Sequence, residues 1–268
     1  MQTDYPLDYQ IFESTSLSTS PIWLAFHGIG QNTEAYKNFA FQNNLKVYSF
    51  GLFYHEKNQK EAQAKHPREI TLKNWLSLME KFLEKEKIDV EKTSINIIGF
   101  SLGVRPALQF VSHFSNLKFN QIILIAPETL AVSNWYRFGT QTILGKFLLK
   151  KVVSSKGFKE AIISISSFIF AKSAQKLIRY QIYHGIESLA SAWLAYRSFE
   201  IDKTKWQKIS KQNEGKIRIV ASTKDAFVRL QKIRNFVTTN SLDKGKSIQW
   251  TISASAHAVL LREFELEN

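Results

Sequence analysis

The chain has 268 residues, 44% of them hydrophobic, a formal net charge of +13 and no cysteine. That length suits one compact α/β domain with an insertion, or two small domains. The missing cysteines exclude a disulfide framework, a thiol nucleophile and a thiolate-bound metal. No apolar run approaches the ~20 residues of a membrane span, and Met1 to Ser20 lacks the charged and apolar regions of a secretory signal. A cytoplasmic protein is therefore expected.

Residues 5–13 alternate loosely and are expected to form an edge strand. Ile22–Phe26 is continuously apolar, hence a buried strand, and it runs into His27-Gly28-Ile29-Gly30-Gln31-Asn32. This glycine-rich loop precedes a helix over residues 33–41. It lacks the Lys-Ser/Thr ending of a phosphate loop. Residues 45–50 read as the next strand, and the polar residues 55–67 as a loop. Thr71 is placed to N-cap a helix reaching about Lys87, with Leu72, Trp75, Leu76, Met79 and Phe82 as its apolar stripe.

Residues 94–98 form a short β-branched run, followed by Gly99-Phe100-Ser101-Leu102-Gly103 and a helix over residues 104–115. That is strand, tight turn, helix, with a serine at the apex. Residues 121–126 give another buried strand, stopped by Pro127. Residues 136–199 differ in kind: helical in period, basic, rich in Phe, Ile and Ser, and without strand signals. They read as several helices inserted between two strands. A strand over 216–221 ends at Ser222-Thr223-Lys224-Asp225, and a helix over 227–238 follows. The last strand covers 247–252, with His257 just beyond it and a closing helix over 258–264.

Strands alternating with helices predict a mostly parallel sheet covered on both faces. In such sheets the functional crevice lies past the carboxyl ends of the strands. His27, Ser101, Asp225 and His257 all fall just past such an end. A serine hydroxyl becomes a nucleophile only beside a base, which itself needs a carboxylate to fix its tautomer. Among six histidines, only His257 follows the last strand at a loop–helix junction. His27 precedes a glycine and is expected to brace its loop. Asp225 lies between the serine and the histidine in sequence, although it would serve equally as an N-cap. Glu128, after the preceding strand, is the alternative acid. The amides of Ile29 and Leu102, from two separate loops, are the expected oxyanion donors.

The motifs His27-Gly28-Ile29-Gly30, Gly99-Phe100-Ser101-Leu102-Gly103, Asp225-Ala226-Phe227-Val228 and His257, in the order Ser, Asp, His, resemble the α/β-hydrolase superfamily. The resemblance covers nearly the whole chain. It implies an α/β-hydrolase core over residues 1–128 and 206–268, with a helical cap over 129–205. It further implies Ser101 as nucleophile, Asp225 as acid, His257 as base, Ile29 and Leu102 as the oxyanion hole, and His27, Gly28 and Gly30 as the supporting loop. No metal or organic cofactor is implied. A serine at the elbow argues against the haloalkane dehalogenase and epoxide hydrolase branches, which use aspartate there. Departures include Phe50-Gly51-Leu52-Phe53 where many relatives carry an Asp and paired glycines, Ser255-Ala256 where a glycine often precedes the histidine, and a short N-terminal part in which the family's first strand is expected to be missing.

The expected activity is hydrolysis of an ester or thioester of a small, moderately hydrophobic substrate through an acyl-enzyme. The same triad also serves lyases and C–C bond hydrolases as a proton relay, and a ligand-binding module of this fold would show little turnover. Residues 131–200 hold ten Lys/Arg against three Asp/Glu, a net of +7. This is the charge of a solvated face or of a surface drawn weakly to anionic membranes. No nucleic-acid-binding motif accompanies it, so no nucleic acid partner is expected. The sequence leaves the oligomeric state open.

Overall fold

The computed structural model describes residues 7–13, 21–53, 70–89, 92–132, 134–145, 147, 157, 160, 164, 192–193, 195–257, 260–264 and 266. Within them β1 (Tyr9–Phe12), β2 (Ile22–Phe26), β3 (Val47–Phe50), β4 (Ile95–Phe100), β5 (Phe119–Ile125), β6 (Ile217–Ser222) and β7 (Gln249–Ser253) form one sheet. Its order is β1-β3-β2-β4-β5-β6-β7. β1 is the expected edge strand and runs antiparallel to β3, while every other pair is parallel. Every residue of β2, β3, β4 and β6 is buried. Such runs of apolar residues without alternation belong to strands covered on both faces.

The helices form where capping and periodicity predict them. Asn32 accepts the amide of Glu34 to start a 3-10 turn, Thr33–Tyr36, that leads into α1 (Lys37–Gln42). The Thr71 hydroxyl accepts the Asn74 amide at 3.2 Å and opens α2 (Leu72–Lys85). Trp75, Met79 and Phe82 of α2 are buried, whereas Leu72 and Leu76 pack at the core's margin. A 3-10 turn, Ser101–Gly103, precedes α3 (Val104–His113). α4 (Asn134–Gln141), α5 (Lys203–Gln212), α6 (Leu230–Asn240) and α7 (Leu260–Glu263) follow.

The sheet order fixes the site. The chain leaves β2 towards β3 on one side and continues from β4 towards β5 on the other, so its direction reverses between adjacent β2 and β4. Ligand crevices open past the carboxyl ends of strands at such a switch. Phe26 pairs with Gly99 in the β2–β4 register, so the loop begun by His27 lies beside the turn that carries Ser101.

The expected 55–67 loop lies outside the described residues. So does most of the expected 129–205 insertion, including Phe158, Phe168 and Phe170. Its described parts include α4 and a 3-10 turn, Arg197–Phe199. Ile143 and Phe147 of this stretch are exposed. Among the described residues no helix is long and apolar enough to cross a membrane.

Candidate active site

Ser101 holds a left-handed backbone, φ +52°. For a residue with a side chain this costs about 1–2 kcal/mol. The surroundings impose it. A Cβ on Gly103 would sit 2.2 Å from the carbonyl oxygen of Phe26 and 2.3 Å from that of His27. The first turn of α3 therefore rests directly on the end of β2, an approach open to glycine alone. β4 must then reverse into α3 within one residue, and that residue is Ser101. The serine is 9% exposed, with its hydroxyl at the strand's carboxyl end.

His257 and Asp225 complete a row. The Ser101 Oγ lies 3.1 Å from Nε2 of His257, and Nδ1 of His257 lies 2.6 Å from Oδ2 of Asp225. The other oxygen of Asp225 accepts the amides of Phe227 at 2.8 Å and Val228 at 2.9 Å. A carboxylate held by two backbone N–H groups keeps a fixed orientation. With Asp225 ionised, Nδ1 carries the imidazole proton and Nε2 faces the serine as an acceptor. The ring is flanked by Phe100, centroids 5.1 Å apart, and by half-exposed Phe227 at 5.5 Å. The structure thus brings together the three residues expected from sequence, each on the connection after its strand.

His27 is fully buried and braces its loop, as expected. Its Nε2 accepts the Leu52 amide at 3.0 Å, so Nδ1 carries the proton and donates to the Gly28 carbonyl at 2.8 Å. Gln31 holds the same glycine twice, its amide donating to the Gly28 carbonyl at 3.3 Å and its Oε1 accepting the Gly28 amide at 2.9 Å. The Gly28 carbonyl and the Ile29 N–H belong to one trans peptide and point in opposite directions. Fixing the carbonyl towards His27 and Gln31 aims the Ile29 N–H away from them. Gly28 itself lies against the elbow: a Cβ there would meet the Phe100 ring at 2.7 Å and Cβ of Ser101 at 3.2 Å.

No protein-family model matches the chain, and no curated protein matches it in sequence. Solved structures do match along nearly its whole length. A carboxylesterase structure from the ammonia-oxidizing Thaumarchaeon Nitrososphaera gargenis superposes with a TM-score of 0.62 at 15% identity, covering 96% of this chain and 89% of that one. MGS-M2, an alpha/beta hydrolase enzyme from a Medee basin deep-sea metagenome library, gives 0.60 at 13% identity, covering 98% and 96%. MenH from S. aureus gives 0.59 at 18% identity, covering 95% and 92%. The chain has the α/β-hydrolase fold.

Within this fold the structure separates the two candidate acids. Glu128 does not meet His257. Its carboxylate takes a bidentate pair of hydrogen bonds from Arg105, 2.8 Å from Nε and 3.1 Å from Nη2. Arg105, in the first turn of α3, is fully buried. It also donates to the Tyr136 hydroxyl at 2.9 Å and the Tyr196 carbonyl at 3.2 Å. Burial alone would lower its pKa, but the charge of Glu128 and the polar Tyr136 and Glu200 more than offset this and raise it. Arg105 therefore stays charged and occupies Glu128. Sequence reasoning passed over this arginine, although a charged residue inside an otherwise apolar helical stretch is a signal of a buried partner.

Of the remaining histidines, His113 pairs with Glu80 on the surface at 3.4 Å, while His55, His66 and His184 lie outside the described residues. Among the described residues no group of three His, Asp or Glu side chains is placed to hold a metal ion.

Proposed function

We propose that this protein is a serine hydrolase, cleaving an ester or thioester of a small, moderately hydrophobic acyl or aryl substrate through an acyl-enzyme. The observation that carries the reading is the hydrogen-bonded row Ser101–His257–Asp225 with the serine on a strained elbow. Esterases and carboxylesterases among the structures of the same fold agree with it.

In this mechanism Nε2 of His257 takes the Ser101 proton as Oγ attacks the carbonyl carbon. The carbonyl electron pair moves onto oxygen, and the amide N–H groups of Ile29 and Leu102 hold the resulting oxyanion. The Leu102 N–H belongs to the first turn after the elbow, so the helix's amino-terminal dipole adds to its pull. The tetrahedral species collapses, the bond to the leaving alkoxide or thiolate breaks, and His257 protonates the leaving group. A water molecule, deprotonated by His257, then attacks the acyl carbon. The second oxyanion collapses to release the acid, and Ser101 regains its proton. Asp225 holds the imidazole in the required tautomer and stabilises the imidazolium formed in each half-reaction.

A fluorophosphonate probe tests the reading directly, with wild type beside Ser101→Ala and His257→Ala and with short- and medium-chain nitrophenyl esters assayed in parallel. The expected result is labelling and turnover in wild type and neither in the two variants. A folded wild type that takes no label would overturn the serine-nucleophile mechanism. Labelling without ester turnover would favour a lyase, an acyltransferase or a hydrolase of narrow specificity.

A further inference from the structure

The acid and the base arrive on separate connections, so their 2.6 Å contact depends on how those connections are held. Ser222 ends β6 and Ser253 ends β7, and the two are partners in the last rung of the parallel register. Asp225 comes three residues after the first and His257 four after the second. Between them the Ser222 hydroxyl, 1% exposed, donates to the Ser255 carbonyl at 2.5 Å and accepts the Lys224 amide at 3.0 Å. One buried hydroxyl thus bonds the residue preceding Asp225 and the residue two before His257. On the other side the Ser253 hydroxyl accepts the Ser255 amide and donates to the Ser255 hydroxyl, both at 2.9 Å. The Thr223 amide donates to the Ser253 carbonyl at 3.0 Å, which prolongs the sheet ladder one step past the strands.

We infer that Ser222, seconded by Ser253, is a positioning residue for the proposed hydrolase: a hydroxyl clamp that sets the separation of Asp225 and His257. The inference rests on the serine-hydrolase reading above. A hydroxyl suits the task because it donates and accepts through one short side chain with a single rotatable bond to its oxygen. The Ser255 side chain closes the second half of the clamp through its contact with the Ser253 hydroxyl.

The test compares Ser222→Ala with Ser241→Ala. The Ser241 hydroxyl, of another buried serine, accepts the Trp206 indole N–H at 2.9 Å at the far end of α6 from Asp225. Both variants lose a buried hydrogen bond and are expected to unfold at lower temperature. Only Ser222→Ala should lower kcat on a nitrophenyl ester, by about tenfold with KM nearly unchanged, because misplaced groups weaken the transition state more than substrate binding. Fluorophosphonate labelling should slow in parallel. The far-downfield proton on Nδ1 of His257, identified by its loss in His257→Ala, should disappear or move upfield in Ser222→Ala and stay in Ser241→Ala. If Ser222→Ala keeps kcat and that resonance, as Ser241→Ala does, the clamp is refuted. If Ser222→Ala does not fold, half-buried Ser253→Ala carries the same readouts with a smaller loss. A wild type that takes no label would sink the hydrolase reading instead, and the proton resonance alone would then decide the clamp.

Discussion

Two carboxylates stand just past neighbouring strands, Glu128 after β5 and Asp225 after β6, and they have opposite fates. After β5 the chain turns sharply at Ala126, φ +45°, and Pro127 directs it into the 3-10 turn Glu128–Leu130. That turn delivers Glu128 to Arg105 on α3. After β6 the chain runs three residues further, and the amides of Phe227 and Val228 capture one oxygen of Asp225. The second oxygen is left facing His257. The lesson is that a position past a strand only brings a carboxylate to the crevice. Its role is set by the nearest cation or amide, here a buried arginine in one case and the protein's own backbone in the other.

Replacing each acid by its amide is the sharpest way to separate them. Asp225→Asn keeps a group able to accept the Phe227 and Val228 amides, yet it no longer enforces the imidazole tautomer. Its kcat on a nitrophenyl ester is expected to fall on the order of 10⁴-fold with folding intact. Glu128→Gln should do the reverse. It leaves Arg105 buried with Glu200, 3.9 Å away, as its remaining acidic neighbour among the described residues. Truncating one member of a buried pair costs roughly 3–5 kcal/mol, and the retained amide oxygen lowers this to about 2 kcal/mol. Denaturant unfolding would read that loss while kcat stays near the wild-type value. A large activity loss in Glu128→Gln, or a small one in Asp225→Asn, would break the comparison.

The same contrast shows what sequence can carry. The strands were legible because parallel, doubly covered strands are nearly uninterrupted apolar runs, as in Ile22–Phe26 and 121–125. The elbow was legible because Gly99 and Gly103 flank the serine at the spacing a strand-to-helix reversal requires. Asp225 and His257 followed from their place after strands. What stayed hidden depends on side chains meeting across the fold. Nothing local to Glu128 reveals that Arg105, 23 residues earlier, claims it. Nothing local to Ser222 reveals that its hydroxyl reaches the carbonyl of Ser255, 33 residues later. Residues 129–205 offered helical period without fixed partners, so their composition suggested an apolar cap while leaving the facing of each side chain undetermined.

A third carboxylate narrows the comparison further. Asp243, between α6 and β7, is held much as Asp225 is, by amides of its own loop: Gly245 at 2.9 Å and Ser247 at 2.6 Å. Hydrogen bonds from the Ser247 side chain and then its backbone hold the Asp243 pKa below the usual carboxylate value. No imidazole is bonded to it among the described contacts, so its bonds serve the loop alone. Because its folded-state pKa is depressed, its contribution to stability is fully present above the unfolded-state pKa of about 3.9 and is lost as the pH falls through the lower, folded-state value. Asp243→Asn should therefore lower Tm by only about 2 °C at pH 7, with kcat unchanged, and the gap from wild type should close as the solution is acidified below that range. A gap that persists in acid would mean that the loop depends on the shape of the side chain and not on its charge. Asp225 would then differ from Asp243 in more than the imidazole that one of them meets.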